Sequence, residues 1–127
     1  MKADFPHNEI ARIDLLQQLA ILDTLPEQNY DGLAELAKYI ADTPIATVTL
    51  VDRDRQWFKA KIDLDIDDSP RDVAICAHAI LHPLELTYLP DTLLDKRVAD
   101  SPLVTAENGI RFYVGVPLLV NDLAVGT

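Results

Sequence analysis

Between residues 9 and 22 the apolar positions fall into two neighbouring stripes, Ile13, Leu16 and Ala20 on one and Leu15, Leu19 and Leu22 on the other. Spacings of three and four keep side chains on one face at 3.6 residues per turn, so the pattern predicts a helix over 9–22 with an unusually wide apolar arc. Either one core covers both stripes, or Leu15, Leu19 and Leu22 meet the helix of a second copy in a homodimer. Thr24-Leu25-Pro26-Glu27 then has the form of a capping box, with proline in the first turn where its missing N–H costs nothing. A second helix is expected over 28–42, with Tyr30, Leu33, Ala37 and Ile40 as its inward stripe. Thr43-Pro44 stops it, because a residue before proline is pushed out of the helical region.

From Ile45 the period shortens. Residues 45–51 are continuously apolar or β-branched and predict a buried strand. The polar turn Asp52-Arg53-Asp54-Arg55 leads into a hairpin partner at 56–61, and the carboxylates Asp63, Asp65, Asp67 and Asp68 form an acidic loop. Ser69-Pro70-Arg71-Asp72 has a cap hydroxyl, a first-turn proline and an early carboxylate, so a helix is expected over 70–81. A strand at 84–89, a long loop at 91–108 holding one helical turn, a long strand at 110–120, a turn at Asn121-Asp122 and a returning strand at 123–127 complete the chain. The order of elements predicts an α+β fold built on an antiparallel sheet with flanking helices.

Composition narrows the function classes. The 127 residues are of single-domain size, and 49% hydrophobic with 25% charged residues is a core-forming composition. Eleven basic against 21 acidic side chains give a net charge of −10, which argues against nucleic acid and anionic membrane as partners. One cysteine, Cys76, allows no internal disulfide, and no signal-like start or spanning apolar run is present, so a cytoplasmic protein is expected.

Few residues carry chemistry. Cys76 and His78 lie two apart on the expected helix and point about 200° apart, which disfavours a Cys-His nucleophile pair. Cys76 reads as a buried structural thiol, and His78 as either ligand-facing or a hydrogen-bonded structural residue. Cys76, His78 and His82 supply at most three ligands, the only helpful spacing is His78 and His82 at i, i+4 with His82 next to Pro83 outside the expected helix, and the acidic loop lacks the glycine and glutamate of a calcium loop, so no metal is expected. Trp57 and Phe58 point to opposite faces of a strand, as Arg111 and Tyr113 do relative to Phe112 and Val114. Arg111 serves either a ligand or, structurally, Asp91 or Asp95.

Several separated segments also resemble a known family: Ile21-Leu22-Asp23-Thr24 with Pro26-Glu27, Pro44-Ile45-Ala46, Leu50-Val51-Asp52, Arg55-Gln56-Trp57-Phe58-Lys59, Pro70-Arg71, Cys76-Ala77-His78-Ala79-Ile80 and Ile110-Arg111-Phe112-Tyr113. In this order they are similar to the bacterial GAF sensory domains that precede diguanylate cyclases and histidine kinases. The resemblance implies a GAF-like body at 23–127 preceded by an amphipathic helix at 1–22, with the closing strand and C-terminal helix of that fold missing. It implies a sensory module that is not itself an enzyme, that binds a small molecule, pairs with a second copy, or both, and that regulates an effector. The ligand residues it points to are Trp57, Cys76, His78, Arg111 and Tyr113, in a pocket between the sheet and segment 66–108. The alternatives are a purely structural dimerisation module, or a redox enzyme related to methionine-sulfoxide reductase, for which a resolving cysteine is absent. Some GAF relatives carry bilin on a cysteine next to a histidine, but Ala77 separates the two here.

Overall fold

A computed structural model describes residues 1–127. Helix α1 (Glu9–Gln18) and helix α2 (Gln28–Ala41) precede strands β1 (Ala46–Val51), β2 (Arg55–Ile62) and β3 (Asp68–Pro70). A 3₁₀ turn at Arg71–Val73 leads into helix α3 (Ile75–Ala79), strand β4 (Thr87–Leu89), a second 3₁₀ turn at Thr92–Leu94 and helix α4 (Pro102–Thr105). Strands β5 (Tyr113–Gly115), β6 (Leu118–Val120) and β7 (Leu123–Gly126) follow. The strands form a five-stranded sheet in the order β3-β2-β1-β7-β6 and a two-stranded sheet of β4 and β5, with every pairing antiparallel. The expected α+β class with an antiparallel sheet is therefore observed.

Alternation along β1 divides the interior. Val48 and Leu50 face the helices, where Leu50 meets Leu16, Trp57 and Val125, and Val48 meets Ala34 and Ala60. Val51 faces the other way, against Cys76, Ile80 and Ala124. Helices α1 and α2 thus cover one sheet face and α3 the opposite one. Beyond α3 a further cluster of Ile75, Leu89, Val98 and Val104 joins the two-stranded sheet to α4. β7 can lie against β1 because position 126 is glycine: a Cβ there would run into the Thr49 carbonyl oxygen.

Several expected boundaries are corrected by packing. α1 stops at Gln18 because Ala20 takes a left-handed conformation with φ 52°, which returns Ile21 and Leu22 to the sheet. Burying even part of two such side chains outweighs the roughly 1 kcal/mol of a left-handed alanine and one lost helical turn. α2 is rotated from the expected stripe: its small residue Ala34 sits against Val48 and Ala60, while Leu33, Leu36 and Ile40 are exposed. The expected helix at 70–81 shrinks to α3, since Ser69 and Pro70 belong to β3 and Ala74 is extended. Ser69 caps nothing; it is buried and accepts a 2.6 Å hydrogen bond from Gln56. The strand at 84–89 is reduced to β4, and the expected strand at 110–120 divides at Val116-Pro117 into β5 and β6, which belong to different sheets. The helical turn within 91–108 is α4, whose Ser101 side chain accepts from the Leu103 N–H. Asn121 and Asp122 form the expected turn, both with positive φ (49° and 62°), as a two-residue hairpin requires.

Two substitutions test this packing by denaturant unfolding. Leu16→Ala, at a fully buried position, is expected to cost about 2–5 kcal/mol. Gly126→Ala is expected to cost about 1–3 kcal/mol by forcing β7 away from β1.

Candidate functional site

The register of β1 against β2 slips between Val48, opposite Ala60, and Thr49, opposite Phe58, leaving Lys59 as the extra residue of a bulge. The bulge lets Trp57, Lys59 and Ala60 all serve the helix-covered face. The Lys59 side chain is fully buried, and its ammonium donates to Thr24 Oγ1 at 2.7 Å and to the Leu25 carbonyl at 2.6 Å, and pairs with Glu27 at 2.6 Å. The Tyr30 ring lies 5.3 Å from the same nitrogen. The capping box expected at Thr24 and Glu27 does not form, because both side chains are taken by Lys59 and no side chain caps α2.

A second cation holds the same connector. Arg55 makes a two-pronged contact with Asp23 at 2.7 and 3.0 Å and reaches Asp68 at 3.2 Å and Asp52 at 3.3 Å. Hydrogen bonds from Arg55 hold the Asp23 carboxyl below its usual range. Asp23, like Ala20, has positive φ (59°), so the connector between α1 and α2 carries two left-handed residues.

Beneath the connector lies a half-open groove of about 330 Å³. Leu19, Ala20 and Ile21 form its roof, and Val48, Leu50, Leu118, Val120 and Val125 its floor and outer wall. Thr24, Glu27 and Tyr30 give it a polar rim. Its outer wall includes β6, the edge strand of the sheet. The groove is concave and mostly apolar, with its few polar groups at one side.

The base of α1 is fixed by a buried charge network. Arg12 is fully buried, donates to Glu9 through two nitrogens at 2.9 Å each and to the Val51 carbonyl at 2.5 Å. Arg71, from the opposite side of the sheet, pairs with the same Glu9, donates to the Asp52 carbonyl at 2.9 Å and stacks 4.6 Å from the Phe5 ring. Burial pushes the Glu9 carboxyl up, but hydrogen bonds from Arg12 and Arg71 outweigh it and hold the group below its usual value.

The five residues singled out as ligand-binding do not converge. Cys76 is buried, and its sulfur accepts from Tyr113 at 3.4 Å and from Thr127 Oγ1 at 3.2 Å. Burial and the neighbouring Cys76 push the Tyr113 phenol well above its usual range. His78 points elsewhere: its Nε2 lies 2.8 Å from the Met1 carbonyl oxygen, so this nitrogen carries the proton and donates. Burial lowers the His78 pKa, opposed by that hydrogen bond and reinforced by Arg97 and the chain's amino terminus. Trp57 packs in the core with Leu16, Leu50 and Val125. Arg111 donates to the Val104 and Ala106 carbonyls at the end of α4, and pairs with neither Asp91 nor Asp95. Of the leucines expected at a dimer interface, Leu15 of α1 and Leu22 of the connector pack half-buried on their own core, and Leu19 lines the groove.

No family model matches the chain. Over 114 residues, 90% of its length, it is 38% identical to a cyclic di-GMP phosphodiesterase of Pseudomonas aeruginosa. The chain spans 19% of that relative's length. The expectation that the protein is not an enzyme is corrected by this match, since the relative is named for an enzymatic activity. No helix is long and apolar enough to cross a membrane.

Lys59, Arg12, Glu9 and Arg71 were not legible as a site from spacing alone. Arg12 did leave a signal, a basic residue four before Leu16 on the inward stripe. Lys59 left one as well, a charge inside a strand between Trp57 and Ala60.

Removing the connector's buried cation tests the clamp. Lys59→Met is expected to cost about 1–3 kcal/mol and to raise amide hydrogen exchange at residues 20–27 selectively. The Glu9 network predicts a pH dependence. Because the folded-state pKa of Glu9 lies below its ordinary 4.5, its contribution is complete above that value and is lost as the pH falls through the lowered one. Glu9→Gln, which leaves Arg12 buried beside an uncharged partner, is expected to cost about 3–5 kcal/mol at pH 7 and to flatten the acid limb of a pH-resolved unfolding curve.

Proposed function

We propose that this chain is a GAF-like sensory segment that binds a small, largely apolar molecule in the groove under the α1–α2 connector and thereby regulates cyclic di-GMP turnover. The supporting observation is the 114-residue match to a cyclic di-GMP phosphodiesterase of which this chain spans 19%. Residues 23–127 are the GAF-like body and residues 1–22 its helical arm. The net charge of −10 and the single free thiol suit the cytoplasm.

The physical network supports the family reading. Asp23, Thr24 and Glu27 belong to one of the segments that carry the GAF resemblance, Arg55 and Lys59 to another, and Arg71 to a third. In the fold these are the residues that clamp the connector and the base of α1 to the sheet.

A molecule in the groove touches Leu19, Ala20 and Ile21 on one side and β6 and β7 on the other. It therefore favours one setting of the connector, and with it one direction of α1, over others. Regulation requires that the molecule bind those settings with different affinity; tight binding alone shifts nothing. The Cys76–Tyr113–Thr127 cluster, sealed on the opposite sheet face, steadies the floor from behind.

The reading is tested by replacing the matching segment of the Pseudomonas aeruginosa phosphodiesterase with this chain and measuring cyclic di-GMP hydrolysis. The exchange is expected to retain hydrolysis, and Leu118→Trp, which fills the groove, to change the rate several-fold while leaving the melting temperature of the isolated chain within a few degrees. Native mass spectrometry of the isolated chain should show a copurifying small molecule that Leu118→Trp excludes. An empty groove together with a rate indifferent to Leu118→Trp would contradict the proposal.

A further inference from the structure

We infer that the base of α1 holds a second ligand site, for a small organic monoanion with an apolar body, such as an aryl carboxylate. It lies at the other end of α1 from the groove and needs no ligand there. Phe5, Glu9, Ile10, Ile13, Asp14 and Arg53 line a half-open cavity of about 240 Å³ between the start of α1 and the turn from β1 to β2. Ile13 is its buried floor, while Phe5 and Ile10 are 55% and 83% exposed and leave an apolar wall uncovered.

Charge decides the class of occupant. Of the eleven lysine and arginine side chains, every one except Arg53 and Lys96 is held by a carboxylate or a backbone carbonyl. Of these two, Arg53 lines the cavity. A free guanidinium presents the planar, two-pronged donor set that matches a carboxylate.

The surroundings have the same sign. Two guanidinium groups, Arg12 and Arg71, share the single carboxylate of Glu9, so this cluster holds one cation in excess. Elsewhere the ion pairs are one-to-one, or carboxylate-rich as around Arg55. With Arg53 and the unpaired Asp14 added, three positive groups stand against two negative ones, in a chain whose net charge is −10. Arg12 and Arg71 are buried, so salt screens their field less than that of a surface charge. Asp14 is the opposing charge, and it limits the occupant to a single negative one. An occupant that touches Phe5, Ile10 and Arg53 ties α1 to the hairpin turn beside the Glu9–Arg71 pair, and so holds the helix against the sheet.

Phenylacetate, phenylethanol and phenylethylammonium carry the same ring and differ in charge, and their titration into the 127-residue chain, followed by amide chemical shifts, tests this. The carboxylate is expected to bind with a Kd of about 1 mM or tighter. The alcohol should bind roughly 5-fold or more weakly and the ammonium most weakly, with the largest shifts at residues 9–14 and 53. Arg53→Gln, at an exposed position, is expected to abolish the preference for the carboxylate over the alcohol while leaving circular dichroism unchanged. Asp14→Asn is expected to tighten the carboxylate about 2-fold or more, a gain that a purely structural role for Asp14 would not give. Leu118→Trp, which fills the groove, should leave this binding as it is. Equal affinity for the three probes, or no binding of the carboxylate at about 10 mM, would overturn the inference. So would carboxylate binding indifferent to Arg53→Gln, weakened by Asp14→Asn, or abolished by Leu118→Trp.

Discussion

A buried ammonium cannot be left unpaired, and the Lys59 nitrogen has no water to turn to. The connector between α1 and α2 supplies what it needs: the Thr24 hydroxyl, the Leu25 carbonyl and the Glu27 carboxylate. This requirement fixes where the connector lies, and the position of the connector decides much of the rest. It ends α1 early, turns Ile21 and Leu22 down onto the sheet, diverts the side chains that would cap α2, and roofs the groove. The bulge in β2 is the backbone feature that permits it, since a regular strand would not set Lys59 and Ala60 on the helix-covered face together.

Arg55 and Glu9 extend the same logic outwards. Arg55 gathers Asp23, Asp52 and Asp68, so that connector, hairpin turn and β3 meet at one cation. Glu9 takes two guanidinium groups, Arg12 from its own helix and Arg71 from the segment leading to α3, and so ties together elements on both sides of the sheet. Each carboxylate or cation serves several segments at once. That arrangement gives α1 a defined direction relative to the sheet.

The class of fold and the order of its elements could be read from hydrophobic period, β-branched content and turn residues. Rotations and ends could not, because they depend on partners distant in sequence. α2 shows this plainly: Tyr30, Leu33, Ala37 and Ile40 form as good a stripe as Tyr30, Ala34 and Ala41, and only the sheet beneath, with Val48 and Ala60 close against it, selects the small residue. The Ser69-Pro70 signal for a helix start was overridden when Gln56 and the β2 edge drew those residues into a strand. For the candidate site, Cys76 and Tyr113 do meet, while His78 and Arg111 are tied to backbone carbonyls elsewhere. The groove itself left no local motif, since its walls come from β1, β6, β7 and a connector brought together only by folding.

A double-mutant cycle between Lys59→Met and Glu27→Gln, read by denaturant unfolding, measures the central interaction most directly. The account predicts a coupling of about 1–3 kcal/mol, above the range of an exposed ion pair, because one partner is wholly removed from water. Additive effects of the two substitutions, with a coupling near zero, would show that the connector is held by something other than the buried cation.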